Sequence, residues 1–368
     1  MTGSDRAGAR LTVDLGAIAA NWRDLRARHP GGAVAGVVKA DAYGLGARHV
    51  APALAAAGCR HFFVAHLDEA LALRPLLPGG PRGAMIAVLN GPLPGTEDDY
   101  TAHGITPVLG SLADIARWRA HLARLGHAAA AILHVDTGMN RLGLDAAELA
   151  RLAADPAPLA GIPLRYVMTH LVSAEAPDDP DNARQRARFA AACAALPAAP
   201  RSFANSSGIF LGPDFASDLA RPGAALYGIN PTPGRPNPMR AAVRLAARVL
   251  QVRVIQAGAS VGYNATWRAA RESRIATVAL GYADGFHRAL SNRARAFFDG
   301  APVPLVGRVS MDLTTFDVTD HPAIQPGAWL ELLGPHQGPD DLAAAAGTNG
   351  YEILTSLGAR FARVHRAS

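Results

Sequence analysis

Between about residue 33 and residue 230 the chain alternates short apolar runs with longer amphipathic stretches. The short runs lie at 34–38, 62–65, 85–89, 106–109, 132–135, 165–169, 202–204 and, more weakly, 219–221. They are apolar on both faces, as buried parallel strands are. The stretches between them open on N-cap residues and repeat apolar side chains at three and four spacing. Examples are Ser111-Leu-Ala-Asp-Ile-Ala-Arg-Trp-Arg-Ala, Asp145-Ala-Ala-Glu-Leu-Ala-Arg-Leu and the segment 182–196. Eight strand–helix units in about 200 residues predict a (β/α)8 barrel rather than an open doubly wound sheet. A strand at 11–14 and a helix around 18–28 come first, and the pattern leaves open which domain that strand joins.

The pattern breaks at Pro231-Thr-Pro-Gly-Arg-Pro-Asn-Pro, a stiff linker that no helix crosses. Beyond it, short β-branched or alternating runs at 248–255, 274–280, 296–298, 303–309, 314–318 and 329–333 are bounded by Gly, Asp and Pro. A last helical piece covers about 350–357. The expected fold class is therefore α/β. An N-terminal (β/α)8 barrel occupies 1–236, and a smaller, mostly β domain occupies 237–368.

No apolar run reaches the ~20 residues that cross a bilayer. No apolar segment with a small-residue cleavage site follows the opening MTGSDRAGARLTVDL. A soluble, cytoplasmic protein is expected. Cys59 and Cys193 are too few for a disulfide framework or a cysteine-rich zinc site, and no metal site is expected. The net charge is +6, but the basic residues are scattered rather than blocked, which reads as a solvated arginine surface and not as a nucleic-acid footprint.

That charge count holds one oddity. Of the 36 basic residues only Lys39 is a lysine, and the rest are arginines. Lys39 ends the first apolar run, at the C-terminal barrel face where such folds keep their active sites. A generic cation here would also be arginine. An amine, unlike a guanidinium, deprotonates and attacks a carbonyl. A strand-borne Schiff-base lysine fits either sugar-phosphate aldol chemistry or pyridoxal phosphate (PLP). Asn205-Ser206-Ser207-Gly208 after the seventh strand and Arg221-Pro222-Gly223-Ala224 after the eighth lie where barrels commonly bind phosphate.

The nine motifs that carry a family resemblance are Val38-Lys39-Ala40-Asp41-Ala42-Tyr43-Gly44-Leu45-Gly46, His134-Val135-Asp136-Thr137-Gly138-Met139-Asn140-Arg141-Leu142-Gly143, Met168-Thr169-His170-Leu171, Asn205-Ser206-Ser207-Gly208, Arg221-Pro222-Gly223, Val261-Gly262-Tyr263-Asn264-Ala265-Thr266-Trp267, Gly281-Tyr282-Ala283-Asp284-Gly285, Gly307-Arg308-Val309-Ser310-Met311-Asp312 and Gly350-Tyr351-Glu352-Ile353-Leu354. In this order, along nearly the whole chain, they resemble alanine racemase, the fold-type III PLP enzyme. The resemblance implies a head-to-tail homodimer whose active sites take C-terminal elements from the partner, and D-alanine supply for peptidoglycan.

It also implies roles. Lys39 is the cofactor lysine and the base on one face of the substrate, and Tyr263, lent by the partner, is the base on the other. Arg221 faces the pyridine nitrogen and keeps its own proton, so the carbanion is short-lived. His170 is similar to the residue that holds Arg221. Arg141 resembles the residue bonded to the cofactor's phenolic oxygen and the substrate carboxylate, and Met311 the partner-borne carboxylate contact. Tyr43, Asn205, Ser206, Gly223, Ala224 and Tyr351 are similar to the cofactor and phosphate set. Tyr282, Arg288, Arg308 and Asp312 resemble a charged access corridor that draws in a zwitterion.

Two positions depart from the family pattern. His134 stands where many members carry a lysine, carbamylated in some, that positions Arg141. Asn264 stands where glycine is common, and Asn tolerates left-handed backbone angles.

Other readings are weaker. Gly258-Ala259-Ser260-Val261-Gly262 matches a nucleophile elbow, but β-like sequence flanks it where a helix should follow. A fold-type III decarboxylase would carry a carboxylate in place of Arg221. A broader alanine/serine racemase of the same fold shares every motif.

Overall fold

The computed structural model describes residues 6–367. The expected α/β arrangement, a barrel followed by a mostly β domain, is the one the chain adopts. Parallel strands His61–Val64, Met85–Val88, Ile105–Leu109, Ala131–His134, Leu164–Met168, Arg201–Ser202 and Leu219–Ala220 run in chain order around the barrel. The first strand is split into Ala33–Val34 and Gly36–Val37. Its first piece pairs with Leu219–Ala220 and its second with His61–Val64, so one broken strand closes the ring. The break is bridged by Ala35 N donating to Ala220 O (2.9 Å) and Val37 N to Pro222 O (3.1 Å).

The helices follow from their caps and apolar faces. Ser111 Oγ accepts from Asp114 N at the start of Leu112–Leu125, which buries Ile115, Trp118 and Leu122 on one side and stops at Gly126. Asp145 caps Ala146–Ala154 in the same way. The helix expected from 18 begins earlier, at Leu15, because Asp14 Oδ1 accepts from Ala17 N and closes its first turn. The helix expected from 182 likewise runs Pro180–Ala195, with proline in its first turn where a missing N–H costs nothing.

Strand Ala9–Asp14 belongs to the second domain. It pairs antiparallel with Val243–Ile255 and parallel with Ala362–Arg366. The 13-residue strand Val243–Ile255 starts before the expected 248, since it is paired on both sides, to Ala9–Asp14 and to Trp329–Leu333. The expected strand 303–309 is shorter: Ala301–Pro304 pairs with Arg295–Phe298, and 307–313 leaves the sheet as a loop. Helix Pro339–Ala346 and strand Ala362–Arg366 were not expected.

Asn21 locks helix Leu15–Arg28 to the barrel's end. Its Nδ2 donates to Leu226 O and Arg240 O, and its Oδ1 accepts from Arg240 N. Among the described residues no helix is long and apolar enough to cross a membrane.

Candidate active site

Lys39 follows the first barrel strand, and the backbone beyond it does something the sequence does not announce. Ala40, Asp41, Ala42 and Tyr43 all sit at φ between 52° and 56° with ψ between 39° and 53°. This is a left-handed turn built without glycine. Each such residue costs about 1–2 kcal/mol, so the turn holds about 4–8 kcal/mol that its surroundings must offset. At its far end Asp41 Oδ1 accepts from Ala47 N (2.7 Å), and Arg363 Nη1 donates to Gly44 O (2.6 Å). The Tyr43 ring packs against Tyr227 and Tyr351 at centroid separations of 4.8 and 6.3 Å.

Lys39 and Tyr43, at the two ends of this run, line a cavity of roughly 330 Å³, within the range of small-ligand sites. Lys39, Tyr43, His170, Asn205, Ser206, Arg221, Gly223, Ala224 and Tyr351 all line it, together with Val37, Leu89, Ser207 and Thr355. A larger cavity of roughly 620 Å³ lies against helix Leu15–Arg28, lined largely by small residues, and no motif residue lines it.

One end of the Lys39 cavity is a cradle of small groups. Ser206 Oγ accepts from Gly223 N (3.1 Å) and Ala225 N (3.3 Å). Gly223 has no room for a side chain: a Cβ there meets Tyr43 Oη at 2.3 Å. Burial pushes the Tyr43 phenol up to about 12, so it stays a donor. The Tyr351 phenol is raised by burial and by the 2.6 Å hydrogen bond it donates to the Glu175 carboxylate, so it keeps its proton.

The other end is a buried cation. Arg221 donates through Nη1 to Ser202 Oγ and through Nη2 to the Thr169 carbonyl, both at 2.5 Å. No carboxylate among the described residues pairs with it. Among the described residues the guanidinium's hydrogen bonds go to these two residues, at the ends of the two preceding strands, and not to His170, the partner the resemblance implies. The His170 side chain has no hydrogen-bond partner among the described residues. Gln185 Nε2 fixes its carbonyl (2.9 Å), and the imidazole is pushed down to about 3 by burial, then by Arg221, Arg141 and Lys39. His134 is buried and pushed down to about 4, by burial first and then by Arg221. Both imidazoles are neutral near pH 7. A cavity holding an amine and a guanidinium with no acidic wall suits an anionic ligand.

Arg141 is exposed and does not line the cavity, yet its charge bears on Lys39, His134 and His170. Its loop is shaped by Asp136, whose carboxylate accepts from Gly138, Met139 and Asn140 N–H groups, each at 2.8 Å. The motif contained Asp136, but only the fold shows that it shapes the loop.

The remaining motif residues form a second group. Tyr263, Tyr282, Arg288, Arg308, Met311 and Asp312 are on loops of the β domain, and none lines the Lys39 cavity of its own chain. Tyr263 is 70% exposed, on a turn where Asn264 takes φ 61°. Ser260 sits in the hairpin Ser260–Val261 and Trp267–Arg268, so the elbow motif is a turn.

The loops of Tyr282 and Met311 are stitched together by Tyr282 N to Ser310 O and Ala283 N to Met311 O. Gly281 permits this, since a Cβ there would meet Met311 O at 2.3 Å. Arg360, which the motifs did not mark, grips both loops. It bonds Asp284 with Nε (2.7 Å) and Nη2 (3.0 Å), and Asp312 with Nη1 (2.7 Å). Asp312 therefore faces Arg360.

The sequence matches the description "Alanine racemase, N-terminal domain" over residues 13–231 and "Alanine racemase, C-terminal domain" over 242–365. The chain belongs to the alanine racemase family. The alanine racemase of Acidiphilium cryptum is 63% identical over 96% of this chain and 98% of its own. A Mesorhizobium japonicum relative described as "Alanine racemase, catabolic" is 50% identical over 97% of this chain and 93% of its own. Among solved structures, alanine racemase from Bartonella henselae with covalently bound pyridoxal phosphate superposes with a TM-score of 0.94, at 44% identity over 98% of this chain and 100% of that one. Within this alanine racemase family member, the motif residues thus divide into a set around Lys39, which includes Tyr351 of the β domain, and a β-domain set that does not line the Lys39 cavity of its own chain.

Proposed function

We propose that the protein racemises alanine with pyridoxal phosphate in the Lys39 cavity, using two bases, one of them from a second copy of the chain. The observation that carries this is the placement of the chain's one lysine beside a buried arginine that has no carboxylate partner among the described residues. The cofactor domain would comprise 1–236 and the β domain 237–368.

The cavity fits the cofactor. Tyr43 Oη, Asn205, Ser206 Oγ and the N–H groups of Gly223 and Ala224 would hold its phosphate, with Tyr351 beside them. Arg221 would face its ring nitrogen, and Lys39 Nζ its carbonyl carbon. Bound there, pyridoxal phosphate supplies the electron sink that acidifies the Cα–H of an amino acid. Arg221 keeps its proton, so it donates a hydrogen bond to the ring nitrogen without protonating it. That favours rapid reprotonation of Cα over side reactions.

Burial, and then the Arg141 charge, push the Lys39 amine below the ordinary lysine value, against the opposing pull of Glu69. It would hold or release the proton on one face of Cα. Tyr263 of the partner subunit would do so on the other face. The exposure of Tyr263 and Met311, and their absence from their own cavity, support a homodimer with shared sites. Arg141 and Met311 of the partner subunit would bind the substrate carboxylate. Tyr282, Arg288, Arg308 and Asp312 would line the access path.

The product would serve peptidoglycan synthesis in the cytoplasm. The Mesorhizobium relative's description favours a second reading, a catabolic role on the same chemistry. A wider tolerance that includes serine is a matter of pocket width. Growth of a deletion strain with and without D-alanine separates the two roles.

The test of the reaction is a chiral assay from L-alanine. Lys39→Ala should lose both the yellow absorbance of the bound cofactor and racemisation. Tyr263→Phe should keep the absorbance, lose racemisation, and leave one enantiomer still exchanging its Cα proton with solvent. Equal, near-normal turnover of both enantiomers by Tyr263→Phe would refute the two-base reading.

A further inference from the structure

Glu69 lies in the first turn of helix Leu67–Leu73, outside every motif considered so far. Its Oε2 accepts from Ala65 N (2.7 Å) and His66 N (3.0 Å), at the end of the second barrel strand. Its Oε1 crosses to the neighbouring strand end and accepts from Ala40 N at 2.6 Å. Ala40 directly follows Lys39 and is the first residue of the left-handed turn. Bonds from backbone N–H groups to an ionised carboxylate are among the stronger ones a protein makes.

We propose that Glu69 is a positioning residue for Lys39: its carboxylate pins the Ala40 N–H, starts the left-handed turn, and so fixes where the lysine leaves the strand. This deepens the reading of Lys39 as the cofactor amine and rests on it. Four consecutive residues without glycine do not take positive φ unless neighbours over-determine them. Asp41, the Tyr43 ring and Arg363 secure the far end of the turn. At the near end, among the described residues, Glu69 is the side chain bonded to the Ala40 backbone. The same carboxylate draws the Lys39 amine toward its charged form, against burial and Arg141.

A chain with one lysine makes the test direct. Isotopically labelled lysine in the full-length protein gives a single ε-carbon resonance, and its pH titration reads Lys39 alone. The second readout is the rate at which cofactor-stripped protein captures added pyridoxal phosphate, followed by the yellow absorbance at a pH above every variant's midpoint.

Glu69→Gln keeps length and loses charge. It should lower the Lys39 midpoint by about one pH unit and slow capture by about tenfold or more. Glu69→Asp keeps charge but not span, so it should slow capture with the midpoint close to wild type. Adding Ala40→Gly to Glu69→Gln should restore capture, because glycine takes positive φ without strain, but should leave the midpoint low. His29→Ala, which removes a buried hydrogen bond to Ser217 O at the N-terminal ends of the barrel strands, opposite the Lys39 end, serves as the stability control and should move neither reading.

The proposal is overturned if both Glu69 variants capture the cofactor at the wild-type rate, or if His29→Ala slows it equally. If Glu69→Gln does not fold, Glu69→Asp decides alone. Failure of the underlying reading is distinct: wild-type protein would then form no pyridoxal adduct on Lys39.

Discussion

Replacing Gly223 by alanine tests the cofactor cradle without touching a charged group. The added Cβ would sit 2.3 Å from Tyr43 Oη, 3.0 Å from Cζ and 3.3 Å from Cε2. Gly223 has φ −125°, so the obstacle is the contact and not a positive φ. Tyr43 has little room to retreat. Its ring is flanked by Tyr227 and Tyr351, and Tyr227 is itself anchored by its hydroxyl to Val37 O at 2.8 Å.

Overpacking of this kind costs about 1–3 kcal/mol. With an unfolding entropy near 0.8 kcal/mol/K for a chain of about 370 residues melting as a unit, Tm should fall by about 1–4 °C. The larger effect is on the cofactor. Displacing the Tyr43 hydroxyl removes one hydrogen bond to a charged phosphate, about 1.5–3 kcal/mol, so Kd for pyridoxal phosphate should rise about 10- to 150-fold. Titration of the stripped protein by absorbance measures that Kd, and a thermal melt measures Tm. Tyr43→Phe deletes the atom at 2.3 Å, so Gly223→Ala should cost less stability in that background than in wild type. If Gly223→Ala binds the cofactor as wild type does at an unchanged Tm, the cradle reasoning is wrong.

Mixing Lys39→Ala and Tyr263→Phe chains should restore racemase activity that neither variant has alone, because a mixed dimer carries one intact site; no recovery after exchange of subunits would exclude shared sites. Arg360→Ala should lower kcat/KM by about tenfold while the Kd of pyridoxal phosphate stays unchanged, since Arg360 braces the Tyr282 and Met311 loops and not the Lys39 cavity; a parallel loss of cofactor affinity would contradict this. Stability should fall as pH drops from 6.5 toward 4. His134 and His170 are neutral in the fold, at about 4 and about 3, and take up a proton on unfolding. Unfolding therefore gains up to about 1.4 kcal/mol per pH unit from each. Melts across that window should flatten for His134→Gln, and an unchanged slope would count against the assignment.

The barrel was legible because its strands are buried on both faces and its helices carry both caps and stripes. The limits of reading lay where partners override local pattern. Ala362–Arg366 has a strand's geometry only because Ala9–Asp14 lies beside it. Residues 243–247 read weakly alone and become strand through pairing on two sides. Helix Pro339–Ala346 did carry a signal, proline and two aspartates in its first turn, that could have marked it. In the site, Glu69 and Arg360 were invisible because each acts across sequence gaps of 29, 48 and 76 residues.

From residue types alone came the repeat of strands and helices, the singular amine and the motifs that ally the chain with alanine racemases, all properties that periodicity and chemical identity express locally. Tertiary structure decided the rest: the left-handed run after Lys39, the bonds of Arg221 to Ser202 and Thr169, and the division of the motif residues into two sets. Those outcomes depend on which backbone groups meet in space. A local sequence of Ala-Asp-Ala-Tyr has no preference for positive φ until neighbouring elements supply the bonds that offset its strain.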